Sequence, residues 1–313
     1  MAREAGGAAE QGPGWARLAE HADPDALAFP HVALRAEQEV RGETVNALAQ
    51  PIAAAFLESI RGERIEAPWP LLFWCVPETP GLARRLGAVE DAVRELLKKK
   101  LSRVAKLAVT EPPRGCGAAR GLFVFFADFG RAFVAREAWF GGQRRMADDE
   151  RAPSRSYLKV EEAYVVLGRE PAAGETVVDL GAAPGGWSYS AAKRGARVIA
   201  VDNGPLKGGA LDHPLIEHRR EDAFRFEPGA GGCDWLFCDM VEEPHHVLRS
   251  LVEPWLARRR CRRFVINLKF GRVDPLDLLP KARAVLAAAG ATGRIRHLYH
   301  DREEFTLVGE IAV

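Results

Sequence analysis

The stretch VVDLGAAPGGWSYSAAKRG, residues 177–195, constrains the fold more than any other part of the chain. An apolar run ends in an acid, passes through a turn carrying Gly181, Gly185 and Gly186, and continues as a helix-compatible segment. Strand, glycine turn and helix in that order belong to open α/β sheets that hold a nucleotide-like cofactor beyond the carboxyl ends of their strands. The pattern leaves the cofactor itself to be decided.

The chain has 313 residues, 47% of them hydrophobic, which is enough for one large domain or two modest ones. From residue 154 onward, strand-like and helix-like segments alternate. The strands are TVVDLG, RVIAVD, IEHRRED, DWLFCDM, RFVINLK, RIRHLYH and FTLVGEIAV, the last running to Val313. Helical stretches separate the first five, which predicts a Rossmann-like, mainly parallel seven-stranded sheet covered on both faces. The last two are joined by a short turn around Asp301–Arg302, so the final strand is expected to run antiparallel. Residues 27–140 also alternate. HVALRAEQEV and PLLFWCVP read as strands, and GLFVFFADFGRAFVAREAWF as a bent strand or hairpin. VNALAQPIAAAFLESI reads as a helix interrupted at Pro51, and AVEDAVRELLKKKLSRVAKLA as a second helix. The polar stretch GGQRRMADDERAP, 141–153, marks a boundary. The expected organisation is a flexible leader over 1–26, a smaller α/β domain with its linker over 27–150, and the Rossmann-like domain over 151–313. No internal repeat is visible.

A dinucleotide fingerprint needs G-x-G-x-x-G, and a phosphate-cradling Walker loop needs G-K-[ST]. The order Gly181-Ala-Ala-Pro-Gly185-Gly186 fits neither. The alternative is S-adenosylmethionine, which lacks phosphate and carries a sulfonium. It calls for a glycine turn and an acid at the end of the second strand for its ribose hydroxyls. Asp202 stands there. Asp222, ending the third strand, is placed to accept from the adenine amino group or its neighbourhood, and Asp239, ending the fourth, to stand near the reactive methyl. With Asp179 they make acids at the ends of four successive strands.

The acceptor is narrowed by what is missing. Adenine amino methylation goes with a [DN]-P-P-[YF] stretch after the fourth strand, where this chain has CDMVEEP. Cytosine C5 chemistry needs a cysteine nucleophile, and Cys238 reads better as a small buried hydrophobe. A hydroxyl acceptor remains. A ribose 2′-hydroxyl is a poor nucleophile near neutral pH, so its transfer benefits from a base. Lys269, ending FVINLK, and Lys159, in SRSYLKVEEAY, are the candidates. His245, His246, His297 and His300 show no zinc spacing, and no metal is expected.

These residues together resemble the FtsJ-like RNA ribose 2′-O-methyltransferases, whose site is a Lys-Asp-Lys-Glu tetrad. APSRSYLKVEEA, DLGAAPGGWS, VDNGPL, REDAFRF, CDMVEEP, NLK and LYHDREEFT stand in that order across residues 152–308. They are similar, more narrowly, to the bacterial branch that methylates a cytidine 2′-hydroxyl of 23S ribosomal RNA. The resemblance implies an S-adenosylmethionine-dependent methyltransferase fold. It implies cofactor contacts from Ser156, Gly181, Ala183, Pro184, Gly185, Gly186, Trp187, Asp202, Asp222 and Asp239. It also implies that Lys269 accepts the proton, with Lys159, Asp239 and Glu304 completing the tetrad. Strand alternation favours Glu304 over its neighbour Glu303.

Formal net charge is +1, so an RNA partner has to be met by local patches. Residues 84–120 hold ten Lys/Arg against four Asp/Glu, with KKKLSRVAK along one helix. That suits phosphate contacts, although a solvated helix face has the same composition. The alternation in this half is similar to the THUMP domain that precedes such catalytic domains. The extra ferredoxin-like module usual in that branch is expected to be lacking, which bears on substrate choice. The competing expectations are 2′-O-methylation of another RNA, such as tRNA, a non-catalytic RNA-binding protein of the same fold, and a small-molecule O-methyltransferase. Five cysteines without a C-x-x-C pair favour reduced thiols, and no apolar run reaches the ~20 residues of a membrane span. A cytoplasmic enzyme without a membrane partner, monomeric rather than oligomeric, is the expectation.

Overall fold

The computed structural model describes residues 2–20, 22–77, 79–229 and 231–311. The chain divides into two compact units, the first made of residues 1–24 and 31–140 and the second of 25–30 and 141–313. Among the described residues, no helix is long and apolar enough to cross a membrane.

The first unit opens with a hairpin, β1 (Glu10–Gly12) and β2 (Trp15–Arg17). This corrects the expected flexible leader. Trp15 packs its ring against Phe125 and Phe133, and Arg131 forms ion pairs with Glu10 and Glu39. Partial burial of one indole and the pairing of a largely covered guanidinium tie a Gly/Ala-rich segment down. HVALRAEQEV is two strands, β3 (Val32–Arg35) and β4 (Gln38–Arg41), because Ala36 adopts φ 48° between them. Both pair antiparallel with one later strand. Helix α1 (Val45–Ser59) is capped by the Thr44 hydroxyl and runs through Pro51 without interruption. A proline inside a helix costs about 3 kcal/mol. Here the ring faces solvent, while Leu48, Ala49, Ile52, Ala53 and Phe56 are buried on the other side and offset that cost.

Strand β5 (Trp69–Cys75) leads to α2 (Leu82–Lys100), which stops at Leu101 and resumes as α3 (Ser102–Lys106), so the long second helix is two. After β6 (Ala108–Val109), GLFVFFADFGRAFVAREAWF becomes the hairpin β7 (Cys116–Asp128) and β8 (Arg131–Gly141). The sheet order is β3-β8-β7-β5-β6, with β4 also on β8.

In the second unit α4 (Tyr157–Leu167) precedes β9 (Thr176–Leu180), α5 (Gly186–Ala192), β10 (Arg197–Val201), β11 (Ile216–Arg219) and β12 (Cys233–Cys238). Then come α6 (Pro244–Val247), α7 (Glu253–Ala257), β13 (Cys261–Lys269), α8 (Pro275–Ala288), β14 (Ala291–Arg296) and β15 (Glu304–Ile311). The sheet order is β11-β10-β9-β12-β13-β15-β14, and β15 runs antiparallel to both its neighbours. The other pairings are parallel, so all strands but β15 end at one edge. RIRHLYH is strand only as far as Arg296, and the last two residues of FTLVGEIAV lie outside the described residues.

Residues 25–30 belong to this second unit. Asp25 accepts from the Arg296 guanidinium at 2.6 Å and from Arg294 at 3.0 Å, while His297 N–H donates to the Ala28 carbonyl. Arg296 is almost wholly buried, and such a charge is held only where it is paired and hydrogen-bonded.

Candidate active site

The site is built at the edge where the parallel strands end. Gly181 (φ 76°) and Gly185 (φ 104°) take left-handed backbone, and a Cβ on either would lie 2.5 Å from Met240 Cγ or Ala210 Cβ respectively. Their missing side chains therefore let neighbouring protein atoms close in, which keeps the turn compact. Across the turn Asp202, the residue after β10, receives the Ala183 N–H at 3.0 Å and the Gly204 N–H at 2.7 Å, one on each carboxylate oxygen. A carboxylate has about four acceptor sites, so each oxygen can take one more hydrogen bond. The Pro184 carbonyl accepts from Lys207 N–H.

The other residues expected at the cofactor have these surroundings. Trp187 is buried, its indole N–H donating to the Ser156 carbonyl at 2.9 Å and its ring edge-on to Phe237. Its side chain is core. The Ser156 hydroxyl shares a hydrogen bond with Ser154, and both crowd Gly186, where a Cβ would lie 3.0 Å from Ser154 Oγ. Asp222 stands three residues beyond the end of β11 and is exposed, with its carboxylate accepting from Phe224 N–H in its own turn. Asp179 is interior to β9 rather than at an open edge. It accepts from the Ser188 hydroxyl at 2.6 Å, and burial pushes its pKa up to about 7. Cys238 is buried, which pushes its thiol up to about 12 and leaves it inert near neutral pH.

The four tetrad residues are brought to this edge by three strands and a helix. Asp239 follows β12, Lys269 ends β13, Glu304 begins β15 and Lys159 lies in the first turn of α4. Antiparallel register sets Lys269 directly opposite Glu304. Two ion pairs result. Lys269 Nζ lies 2.5 Å from Asp239 Oδ1 and also donates to the carbonyls of Met240 (3.1 Å) and Asp239 (3.3 Å). Lys159 Nζ lies 2.5 Å from Glu304 Oε1. Side-chain exposures of 24% and 14% for Lys269 and Asp239, against 12% and 7% for Lys159 and Glu304, make the first pair the more open one. Glu303 is exposed and uses its backbone carbonyl to accept from Phe270 N–H.

Behind the pairs lies a polar layer that sequence reasoning missed. Asn267 and Thr306 are cross-strand partners two residues from Lys269 and Glu304, and so share their sheet face. Both meet the buried carboxyl of Asp301, which accepts from Leu298 N–H at 2.9 Å and from Thr306 Oγ1 at 3.2 Å. Burial, with the nearby Glu304 charge, pushes the Asp301 pKa up to about 8. Glu162, three residues after Lys159, is fully buried and accepts backbone N–H groups from Arg144, Tyr299 and His300 at 2.7–3.0 Å. Despite those bonds, burial holds its pKa up at about 7. Two adjacent acids inside the apolar run of YLKVEEAYVVL were the available signal, since a helix face seldom buries a carboxylate without a partner.

Strand order, glycine turn and edge acids define a cofactor-binding α/β domain of the methyltransferase class. Residues 152–259 match the FtsJ-like methyltransferase family. The chain is similar to the ribosomal RNA large subunit methyltransferase M of Halorhodospira halophila, 42% identical over 194 residues, covering 60% of this chain and 57% of that one. The enzyme of the same name from Laribacter hongkongensis is 42% identical over 230 residues (68% and 63%), and that from Proteus mirabilis 38% over 204 (59% and 56%). The matched part thus spans somewhat over half the length of these relatives.

The Asp301 carboxyl makes the unit's stability pH-dependent with a defined sign. Its folded pKa, about 8, is raised above the ordinary 3.8, so the folded state holds the proton more tightly. Its contribution is complete below the unfolded value and is lost as pH rises through about 8. Melting temperatures followed from pH 5.5 to 9 should fall, and Asp301→Asn should fall less steeply. An unchanged slope in the variant would show that Asp301 is not the titrating group.

Proposed function

We propose that the protein is an S-adenosylmethionine-dependent RNA ribose 2′-O-methyltransferase acting on 23S ribosomal RNA, at a cytidine. The observation that carries this reading is the pair of lysine–carboxylate contacts at 2.5 Å, set at the strand edge beside the glycine turn. The site fits the donor. Asp202 has acceptor capacity left for two vicinal hydroxyls after its two backbone bonds, and the backbone of 181–185 lines the turn beside it. S-adenosylmethionine supplies an electrophilic methyl group on a sulfonium. Everything else is asked of the chain.

Lys269 is the proton acceptor for the ribose hydroxyl. Its three acceptors are Asp239 Oδ1 and two carbonyls, so its ammonium group is saturated as a donor. To take a proton it has to release one, and the Asp239 carboxylate is the group in position to receive it. Lys159 and Glu304 form a fixed second pair that orients the hydroxyl without adding net charge. The geometry holds reacting atoms in place, and positioning of this kind supplies most of the advantage. No metal enters the scheme.

The first unit is read as a THUMP-like RNA-gripping module. Lys98, Lys99 and Lys100 are exposed in the last turn of α2, beside a cavity of about 270 Å3 lined in part by Arg94, Lys98 and Lys106. Cations also favour a helix C-terminus on electrostatic grounds alone, so this role needs its own test. Arg131 and Arg136, by contrast, are engaged by Glu10, Glu39 and Glu63.

Two variants test the chemistry together. Lys269→Ala should lose methyl transfer by about 10²–10⁴-fold while binding S-adenosylmethionine as the parent does. Asp202→Ala should weaken calorimetric S-adenosylmethionine binding at least tenfold, because charge-assisted bonds to hydroxyls contribute about 1.5–3 kcal/mol each. Transfer at a comparable rate by the lysine variant would exclude the 2′-hydroxyl mechanism. Replacing Lys98, Lys99 and Lys100 with Gln should lower RNA affinity and flatten its salt dependence by roughly 0.7–0.9 in log–log slope per lost phosphate contact. Retention of both affinity and slope would leave that helix a solvated face.

A further inference from the structure

The loop between β14 and β15 is held unusually tightly for a segment that leaves a large aromatic ring in solvent. His297 N–H donates to Ala28, Leu298 N–H to Asp301, Tyr299 and His300 N–H to Glu162, Asp301 N–H to Leu298, and Arg302 N–H to Glu304. The His300 ring accepts from Met146 N–H at 2.9 Å. Leu298 and Asp301 point inward and are buried. Tyr299 does not, with 52% of its surface exposed and no hydrogen bond to its phenol among the described residues.

An aromatic ring on a pinned backbone loses little entropy when something stacks on it. This ring stands five residues before Glu304, on the edge where the ion pairs lie. Val241, two residues past Asp239, is 84% exposed on another loop of that edge. The charges around Tyr299 are of both signs. Glu162 accepts its N–H and Asp148 acts on the adjacent His300, while Arg145 immediately precedes Met146, whose N–H donates to the His300 ring. Arg155 and Arg145 are close enough to the adjacent His300 to help hold its pKa below the ordinary imidazole value, second to burial. Both arginines are exposed, and neither forms an ion pair among the described residues. The Tyr299 ring meets the His300 ring edge-to-face at 5.2 Å and still leaves half its surface exposed. An exposed ring with guanidinium groups nearby is the combination that single-stranded nucleic acid engages, bases on the ring and phosphates on the cations.

We infer that Tyr299 is the stacking platform for a base of the RNA strand whose ribose is presented to Lys269, with Arg145 and Arg155 on the adjoining phosphates. This rests on the RNA methyltransferase reading and adds to it the residue that holds the strand in place. Tyr299 takes no part in the proton transfer. Its contribution is made equally before and during the reaction, so it belongs in KM rather than kcat.

The test uses the full chain, radiolabelled S-adenosylmethionine and an unmodified 23S ribosomal RNA transcript. Tyr299→Ala should raise KM for the transcript by about 5- to 150-fold, the range for loss of one stacked base. Its kcat at saturating RNA and its S-adenosylmethionine affinity should stay within twofold of the parent. Tyr299→Phe and Tyr299→Trp should restore KM, because both keep a ring face. A parental KM for Tyr299→Ala would overturn the stacking role while leaving the methyltransferase reading intact. So would a phenylalanine variant as impaired as alanine, or a loss of S-adenosylmethionine affinity in step with KM. If the parent itself neither binds nor methylates the transcript while still binding S-adenosylmethionine, the ribosomal RNA reading fails, and the platform fails with it.

Discussion

The site depends on one register, the pairing of Lys269 with Glu304 across β13 and β15. Every other strand of the sheet ends at the edge where β15 begins, so inserting one antiparallel strand sets the first residue of one strand beside the last of another. A slip by one residue would turn Glu304 to the opposite face and bring the exposed Glu303 into its place one step out of line. Register is protected by what lies next along the face. Asn267 faces Thr306, then Val265 faces Val308 in the buried core. The sheet interior therefore specifies the chemistry at its rim.

Charge burial sets the second constraint. A lysine or carboxylate that loses much of its water has to be paired, or its ionised form becomes too costly. Lys159 and Glu304 meet this by pairing at 2.5 Å, and Glu162 and Asp301 meet it differently. Glu162 collects three backbone N–H groups, and Asp301 is pushed towards its neutral acid. Asn267 Oδ1 has no hydrogen-bond partner in its buried position, and a protonated Asp301 beside it is a donor that could reach it after a flip of the amide. Asp301, pushed towards its neutral acid, thus lies behind the ion pairs that meet the edge.

Much of this was legible in the sequence because it rests on local order. The glycine turn, the acids after β10 and β12, and the lysine ending an apolar strand are each fixed by their immediate neighbours. What was not legible depends on tertiary contacts. Pro51 reads as a break, yet burial of five apolar neighbours outweighs one lost hydrogen bond. Residues 10–17 read as leader, yet Trp15 and Glu10 find Phe133 and Arg131 more than a hundred positions away. Trp187 sits within the motif expected to bind cofactor, but its ring turns inward, and no spacing reports that. Asp222 resembles the other strand-end acids in composition but lies three residues beyond its strand, because β11 is short.

The charge balance carries a final consequence. Two lysines and two carboxylates in contact sum to no net charge, and the chain as a whole carries only +1. On the RNA-methylating reading, the reactive centre then offers a polyanion no long-range attraction of its own. Attraction has to come from exposed cations outside the two pairs, such as Arg145, Arg155, Lys99 and Lys100. This separates the two tasks physically. Salt screens exposed cations over about 8–10 Å but acts much less on a partly buried pair at 2.5 Å. Ionic strength should therefore weaken capture of RNA and leave the step at Lys269 nearly untouched, so that kcat and KM respond to salt independently.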